Sequence, residues 1–213
     1  MIAIVVVKQM FGGIGHNFVN PALIGRIVLM NSFTSAMTTW ALPVAYQQSG
    51  ADVVTGATPL ALMKSGEQLP SLLDMFLGQT GGCLGETCAL ALIIGGVYLV
   101  CRKVISPVIP LVFVGTVAVL TFFAGCNPLY EVLSGGLLLG AIFMATDYVT
   151  SPTTTSGKVI FAIGCGAITA FIRIFGSIPE GVSYSIIIMN ILTPHINTLT
   201  RKKPFGFKKG AVK

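Results

Sequence analysis

The chain has 213 residues, 54% of them hydrophobic and 9% charged, with a mean hydropathy of +0.86. Soluble domains carry about 25% charged residues, so this composition excludes an ordinary water-soluble globular domain, and the apolar content excludes intrinsic disorder. The formal charge of +6 sits mainly in the C-terminal tail, which argues against a nucleic-acid-binding face.

In chain order, Ile2 to Val7 is apolar but too short to cross a bilayer, and Lys8 ends it before Phe11-Gly-Gly-Ile-Gly. No basic stretch precedes it and no small-residue cleavage site follows, so it reads as the stub of an earlier helix rather than a signal peptide. A spanning helix needs roughly 20 apolar residues, because the hydrocarbon layer is ~30 Å thick and a helix rises ~1.5 Å per residue. Pro21 to Leu42 meets this, with Pro21 in the first turn and Trp40 suited to the membrane interface. Further candidate spans run from Leu84 to Cys101, Val104 to Ala124, Val132 to Tyr148, Val159 to Gly176 and Val182 to Leu199. The expected fold class is an all-α integral membrane protein, a polytopic bundle of about six full spans plus the N-terminal stub. Its parts are residues 1–42, a long connection over 43–82, a five-helix unit over 83–200 and a basic tail over 201–213.

Short cytoplasmic loops accumulate Lys and Arg, which sets orientation. Arg201, Lys202, Lys203, Lys208, Lys209 and Lys213 place the C-terminus in the cytoplasm. Counting back through five spans puts Arg102, Lys103 and Lys158 inside, and Glu131, Glu180 and the whole stretch from Pro43 to Gly82 outside. The expected location is a multi-pass position in a bacterial cytoplasmic (inner) membrane, with membrane lipid as an obligatory partner. Cys83, Cys88, Cys101, Cys126 and Cys165 form no CxxC pair and read as buried apolar thiols. His16 and His195 have no second ligand at suitable spacing, so no metal site is expected. Gly135, Gly136, Gly140, Gly164 and Gly166 suit close helix packing in lipid. Gly78 to Gly85 lacks the Lys-Ser/Thr end of a P-loop, so nucleotide hydrolysis has no support.

Connections inside helical bundles normally take about 2 to 8 residues, so the stretch from Pro43 to Gly82 is long enough to suggest function. Within it, Thr55-Gly-Ala-Thr58-Pro59 reads by itself as a turn entering an interfacial helix, with Thr58 as N-cap and Pro59 at the first helical position. The longer string Asp52-Val-Val-Thr55-Gly56-Ala57-Thr58 resembles the Asp-x-x-Ser/Thr-Gly-Ala-Thr sequence at which flavin mononucleotide (FMN) is joined through its phosphate to the last threonine. That sequence belongs to membrane flavoproteins of two related bacterial complexes. One is the RnfD type of the Rnf ion-translocating ferredoxin:NAD oxidoreductase, and the other is its counterpart in the sodium-translocating NADH:quinone reductase. Four further stretches are similar: Gly12 to Arg26, Gly82-Cys-Leu-Gly-Glu86-Thr, Met144-Ala-Thr-Asp147-Tyr-Val-Thr-Ser-Pro-Thr, and Phe171-Ile-Arg173 through Glu180-Gly-Val. The compact loops and short tail favour the Rnf likeness.

The resemblance implies ten helices in two inverted five-helix repeats, with the stub and Pro21 to Leu42 as helices four and five of the first repeat. It also implies covalent FMN on Thr58, with Thr55, Gly56 and Ala57 beside the flavin and Asp52 in the sequence read by a flavin transferase. A phosphodiester anion cannot sit in hydrocarbon, so a boundary position for Thr58 is physically consistent. The flavin supplies the redox chemistry, so no protein general base or nucleophile is needed.

Ionisable residues in or near spans are functional candidates by default. Glu86, Asp147, Arg173 and Glu180 qualify as ion-path candidates, with the carboxylates of Glu86 and Asp147 offering the oxygen donors that sodium prefers, while helix capping and an Arg173–Glu180 interface pair are the alternatives. Gly12 to Pro21 and Thr150 to Gly157 read as breaks in helix or as plain loops. As breaks they form a second site facing the cytoplasm, for which the resemblance suggests non-covalent riboflavin. The functional expectation is a membrane subunit of an ion-translocating oxidoreductase that relays electrons between ferredoxin and NAD, coupled to sodium or proton movement. Its implied partners are the other Rnf-type subunits, among them a second FMN-carrying subunit. The alternative is an inverted-repeat channel or passive transporter without flavin, and a third reading is a scaffold that only holds redox partners.

Overall fold

The computed structural model describes residues 1–13, 15–41, 55–83, 85–176 and 181–201, with Ala41, Thr55 and Gly56 as backbone. It is helical throughout, apart from a two-residue antiparallel pairing of β1 (Trp40–Ala41) with β2 (Thr55–Gly56), in which Trp40 faces Gly56. An N-terminal π-wound helix, Ile2–Gln9, packs on α1 (Pro21–Ser32). Asn20 caps α1 by accepting from the Ala22 amide at 3.0 Å, and Pro21 takes the first position, where its missing N–H costs nothing. The predicted span from Pro21 to Leu42 is not one helix. It breaks at Phe33, whose φ/ψ of −131°/53° is non-helical, and resumes only as α2 (Thr34–Thr38) before β1.

Two short helices follow, α3 (Pro59–Ser65) and α4 (Leu72–Leu77), each closed by a left-handed glycine, Gly66 and Gly78. Then come α5 (Ala89–Cys101), α6 (Val108–Phe123), α7 (Pro128–Leu133), α8 (Leu137–Leu139) running into a π-wound turn (Gly140–Met144), α9 (Thr155–Phe175) and α10 (Val182–Thr200). Among the described residues, α9 is the one helix both long and apolar enough to cross a bilayer, while α5 and α6 are apolar but shorter. Six unbroken full-length spans are therefore not present among the described residues. Apolar composition marks which residues avoid water but not where the backbone turns within them.

The main core lies where α6, α9 and α10 meet, around Phe113, Val117, Phe161, Cys165 and Ile186, all fully buried. Glycine lets these helices touch. A Cβ on Gly166 would lie 2.6 Å from Thr116 Cβ and 3.1 Å from the Phe113 carbonyl, so α6 and α9 approach there at backbone distance. Side chains on Gly164 and Gly140 would collide with Met189 and Val182 of α10. Such small-residue contacts give helices van der Waals packing where lipid offers no hydrophobic drive. The cysteines divide differently from expectation. Cys165 is buried in this core, Cys83, Cys88 and Cys126 are half-buried, and Cys101 is exposed on α5, because apolar residues in such a chain also cover its outward face.

Candidate functional site

The predicted span from Val132 to Tyr148 is a broken helix, and the break organises the site. Asn127 caps α7 through the Leu129 amide at 3.2 Å, with Pro128 at the first position. After Leu133 the chain leaves helical geometry at Ser134-Gly135-Gly136, and α8 starts only at Leu137. Gly135 has φ +64°, a left-handed conformation natural to glycine, and a Cβ there would strike Leu60 Cδ1. A break in an apolar environment frees carbonyls that need donors. Arg173, in the last turn of α9, supplies them. Its Nη1 donates to the Glu131 carbonyl at 2.6 Å and to Glu131 Oε2 at 2.9 Å, and its Nη2 donates to the Ser134 carbonyl at 3.2 Å.

The expected partner of Arg173 was Glu180, seven residues away in sequence. Glu180 lies outside the described residues, and the partner found is Glu131, brought to α9 by the fold of α7. A second ion pair flanks the other side of the break. Arg26 of α1 faces Glu86 at 3.6 Å, with Glu86 almost wholly buried, and Glu86 Oε1 accepts from the Cys83 amide at 3.3 Å. A Cβ on Gly136 would sit 3.1 Å from Glu86 Oε2, so this glycine admits the carboxylate to the break. Arg26 and Glu131 are functional candidates that sequence reasoning missed. Arg26 stood only as the last residue of the Gly12 to Arg26 stretch and Glu131 only as a charge on the outer side. The usable signal for Glu131 was Asn127-Pro128, a helix start placing a carboxylate one turn into an apolar stretch.

Thr58 is brought to this break by α3. Leu60 lies against Gly135, Met63 Sδ is 3.9 Å from Ser134 Oγ, and Lys64 Nζ donates to the Gly176 carbonyl at 2.6 Å. Desolvation pushes the Lys64 ammonium below the ordinary lysine range, opposed by the Glu131 carboxylate. Thr58 is the N-cap of α3, its Oγ1 accepting from the Ala61 amide at a long 3.4 Å. Its side chain lines a small cleft with Thr80, Glu86, Thr87 and Ser134, of about 20 Å³, room for little more than a water. On the other side of the same turn, Ala57, Leu62, Leu69, Pro70 and Gln79 line an open concavity of about 310 Å³. Asp52 lies outside the described residues, and Thr55 and Gly56 are fixed only through their pairing with Ala41 and Trp40.

Asp147 does not join this cluster. It accepts from Thr150 Oγ1 at 3.0 Å just beyond the π-wound turn, near the start of α9, whereas Arg173 is near its end. At 21 residues α9 puts roughly 30 Å between those ends. Asp147 instead shares a cavity with Lys8, Asn17, Asn20 and Phe143. The Gly12 to Pro21 segment therefore lines a pocket. The Thr150 to Gly157 segment is engaged with α10: Thr193 Oγ1 donates to the Thr150 carbonyl at 3.0 Å, the Thr153 amide to Asn197 at 3.2 Å, and Thr154 and Thr200 hydroxyls meet at 2.7 Å. None of residues 150–157 lines the Asp147 cavity. His16 and His195 are both exposed.

Residues 1–206 match the NQR2, RnfD, RnfE family. The chain belongs to that family. Among its relatives, the D-type subunit of the Na(+)-translocating ferredoxin:NAD(+) oxidoreductase complex of Acetobacterium woodii is 49% identical over 97% of this chain and 65% of the relative. The proton-translocating counterpart of Clostridium ljungdahlii is 45% identical over 98% of this chain and 67% of the relative. The D-type subunit of the ion-translocating oxidoreductase complex of Stutzerimonas stutzeri is 39% identical, over 97% and 68%. The chain thus spans about two thirds of the length of the curated relatives it matches. Within the family, one relative is named for sodium and another for protons at similar identity, so likeness alone does not assign the coupling ion.

Proposed function

We propose that this family member is a membrane subunit of an ion-translocating electron-transport complex, carrying FMN as a phosphoester on Thr58 Oγ1 and relaying electrons between ferredoxin and NAD. The observation that carries the reading is the position of Thr58. Thr58 lines a small polar cleft with Glu86, and its chain neighbours Ala57 and Pro59 line an open concavity, on a helix docked against a broken helix held by two ion pairs.

The residues present fit the group. The cleft is too small for a flavin ring, but the Thr80 and Thr87 hydroxyls in it are suitable donors to a phosphodiester anion. Arg26 balances the Glu86 charge that would otherwise repel that anion. Leu62, Leu69 and Pro70 offer apolar surface to a ring, Gln68 and Gln79 offer amide groups for its polar edge, and the volume lies within the ~300–1,000 Å³ of small-molecule sites. When bound, the flavin would supply the electron-transfer chemistry, and the chain's part is placement and tuning.

The charge distribution supports the expected orientation. Arg102, Lys103, Lys158 and Arg201 gather at the Asp147 end, joined there by the bonds from Tyr148 to Val104 and between Thr154 and Thr200. Toward the Thr58 end Arg26 and Arg173 are ion-paired with Glu86 and Glu131, so the Lys and Arg gathered at the other end favour that other end as the cytoplasmic one. Glu86 and Arg173 at the break, and Asp147 at the far end, are the ion-path candidates, with sodium or protons as the ion. The Asp147 cavity is the candidate second, cytoplasm-facing ligand site, and the other subunits of an Rnf-type complex and a flavin transferase are the expected partners. The test is a denaturing gel of the protein from cells containing the transferase. A fluorescent flavin band is expected, lost in Thr58→Ala while the stained band remains. A Thr58 peptide found unmodified by mass spectrometry sinks the proposal and leaves the flavin-free transporter.

A further inference from the structure

The groove between α5 and α6 plays no part in the flavin site. α5 packs on α4, α8 and the π-wound turn, whereas α6 packs chiefly on α9, so these consecutive helices splay apart from their connecting turn. Between them lies a groove of about 530 Å³, walled by Val97 and Val100 of α5 and Leu111 and Val114 of α6, with Leu138 and Ile142 as its floor. Apart from the Cys101 thiol, no side chain lining it can form a hydrogen bond, so it suits hydrocarbon. Two glycines shape it. A Cβ on Gly96 would come 3.0 Å from Ile142 Cγ2, so Gly96 draws the wall onto the floor, while Gly115 faces open space and leaves the groove unfilled.

The groove reaches the α5–α6 turn through Cys101 and Ile105, and this turn carries Arg102 and Lys103, both exposed. The turn is held in place, with Lys103 in the left-handed region at φ 56° and the Tyr148 hydroxyl donating to the Val104 carbonyl. The sequence has no Asp or Glu from 87 to 130, and among the described residues neither cation enters an ion pair. Two adjacent positive charges therefore lie on the turn between Cys101 and Ile105, both of which line the hydrocarbon groove.

We propose that this groove is a binding site for an anionic phospholipid, one acyl chain lying between α5 and α6 and the phosphate held by Arg102 and Lys103. A lipid is the amphiphile whose negative group is joined to a hydrocarbon chain, which matches both features at once. A free phosphate would use only the cations, and a neutral apolar molecule only the groove. The site is independent of the flavin, and the measurement can be made on Thr58→Ala protein as well.

The experiment is native mass spectrometry of the complete chain purified in detergent and titrated with phosphatidylglycerol or phosphatidylcholine of identical acyl chains. One phosphatidylglycerol is expected to bind at least about tenfold more tightly than phosphatidylcholine, and Arg102→Gln with Lys103→Gln should weaken it about 30-fold. Gly115→Leu, where an added Cβ meets nothing within 4 Å, should block the acyl chain and remove the adduct without lowering the unfolding temperature. Equal binding of the two lipids, or undiminished phosphatidylglycerol binding in Gly115→Leu, overturns the site. So does a photo-crosslinker at Leu111 that, in native membranes, joins a polypeptide instead of a lipid.

Discussion

The α6–α9–α10 core and the α7–α8 break are made from similarly apolar sequence, yet they are held together by opposite means. In the core, Gly140, Gly164 and Gly166 let helices touch, and the buried hydroxyls close locally, as Thr169 Oγ1 does on Ser185 Oγ at 2.7 Å. At the break the glycines open the chain instead, and Arg173 with Glu131 and Arg26 with Glu86 fill the polar demand this creates. A regular helix satisfies its own backbone and needs only shape from its neighbours. A broken one must import donors, and that concentrates charge where the family resemblance also places the redox group.

Thr58→Ala is expected to remove the proposed covalent flavin completely, read as in-gel fluorescence, while thermal unfolding shows both regions still folded, and so would separate chemistry from architecture. Arg173→Ala should have the largest structural effect, roughly 3–5 kcal/mol, because it strands a buried carboxylate and two carbonyls together. Thermal unfolding in detergent measures this, and the double variant Arg173→Met with Glu131→Leu should lose less than Arg173→Ala. Equal losses would mean that the pair's charge is not what matters at the break. Gly166→Leu probes the other region, with an expected loss of about 1–3 kcal/mol from overpacking against Thr116. If it costs nothing, α6 and α9 are not in the tight contact described. Asp147→Asn should be mildest, within about 0.5 kcal/mol, since an amide oxygen can still accept from Thr150 on this half-buried residue. A large loss of stability there would show that Asp147 is tied into the core rather than into a solvent-reaching cavity.

Much of the helical framework was legible because apolar runs and their punctuation are local. Pro21 after Asn20 and Pro59 after Thr58 start helices where capping chemistry allows, whereas α9 starts at Thr155, four residues ahead of the expected Val159 and inside the stretch read as a break or loop. The reading of Thr58 as an N-cap and its reading as an attachment residue fall on the same atom, and the geometry is compatible with both. The breaks at Phe33 and Ser134 to Gly136 were not legible, since hydropathy is summed over a window and is blind to a few residues that leave helical geometry. Glu131 as a partner of Arg173 was not legible for a related reason: the contact depends on α7 folding back across 42 residues, whereas Glu180, the neighbour in sequence, lies outside the described residues.

The linear order of residues by itself determined the hydrocarbon-solvated class, the clustering of cations at one end, and the threonine motif on which the proposed flavin attachment rests. These depend on composition and on motifs a few residues long. Only the three-dimensional packing decided that Thr58, Glu86, Arg26, Glu131 and Arg173 surround one broken helix while Asp147 stands apart. That assembly arises because orphaned carbonyls and buried charges in a medium without water must find each other, whatever their separation along the chain.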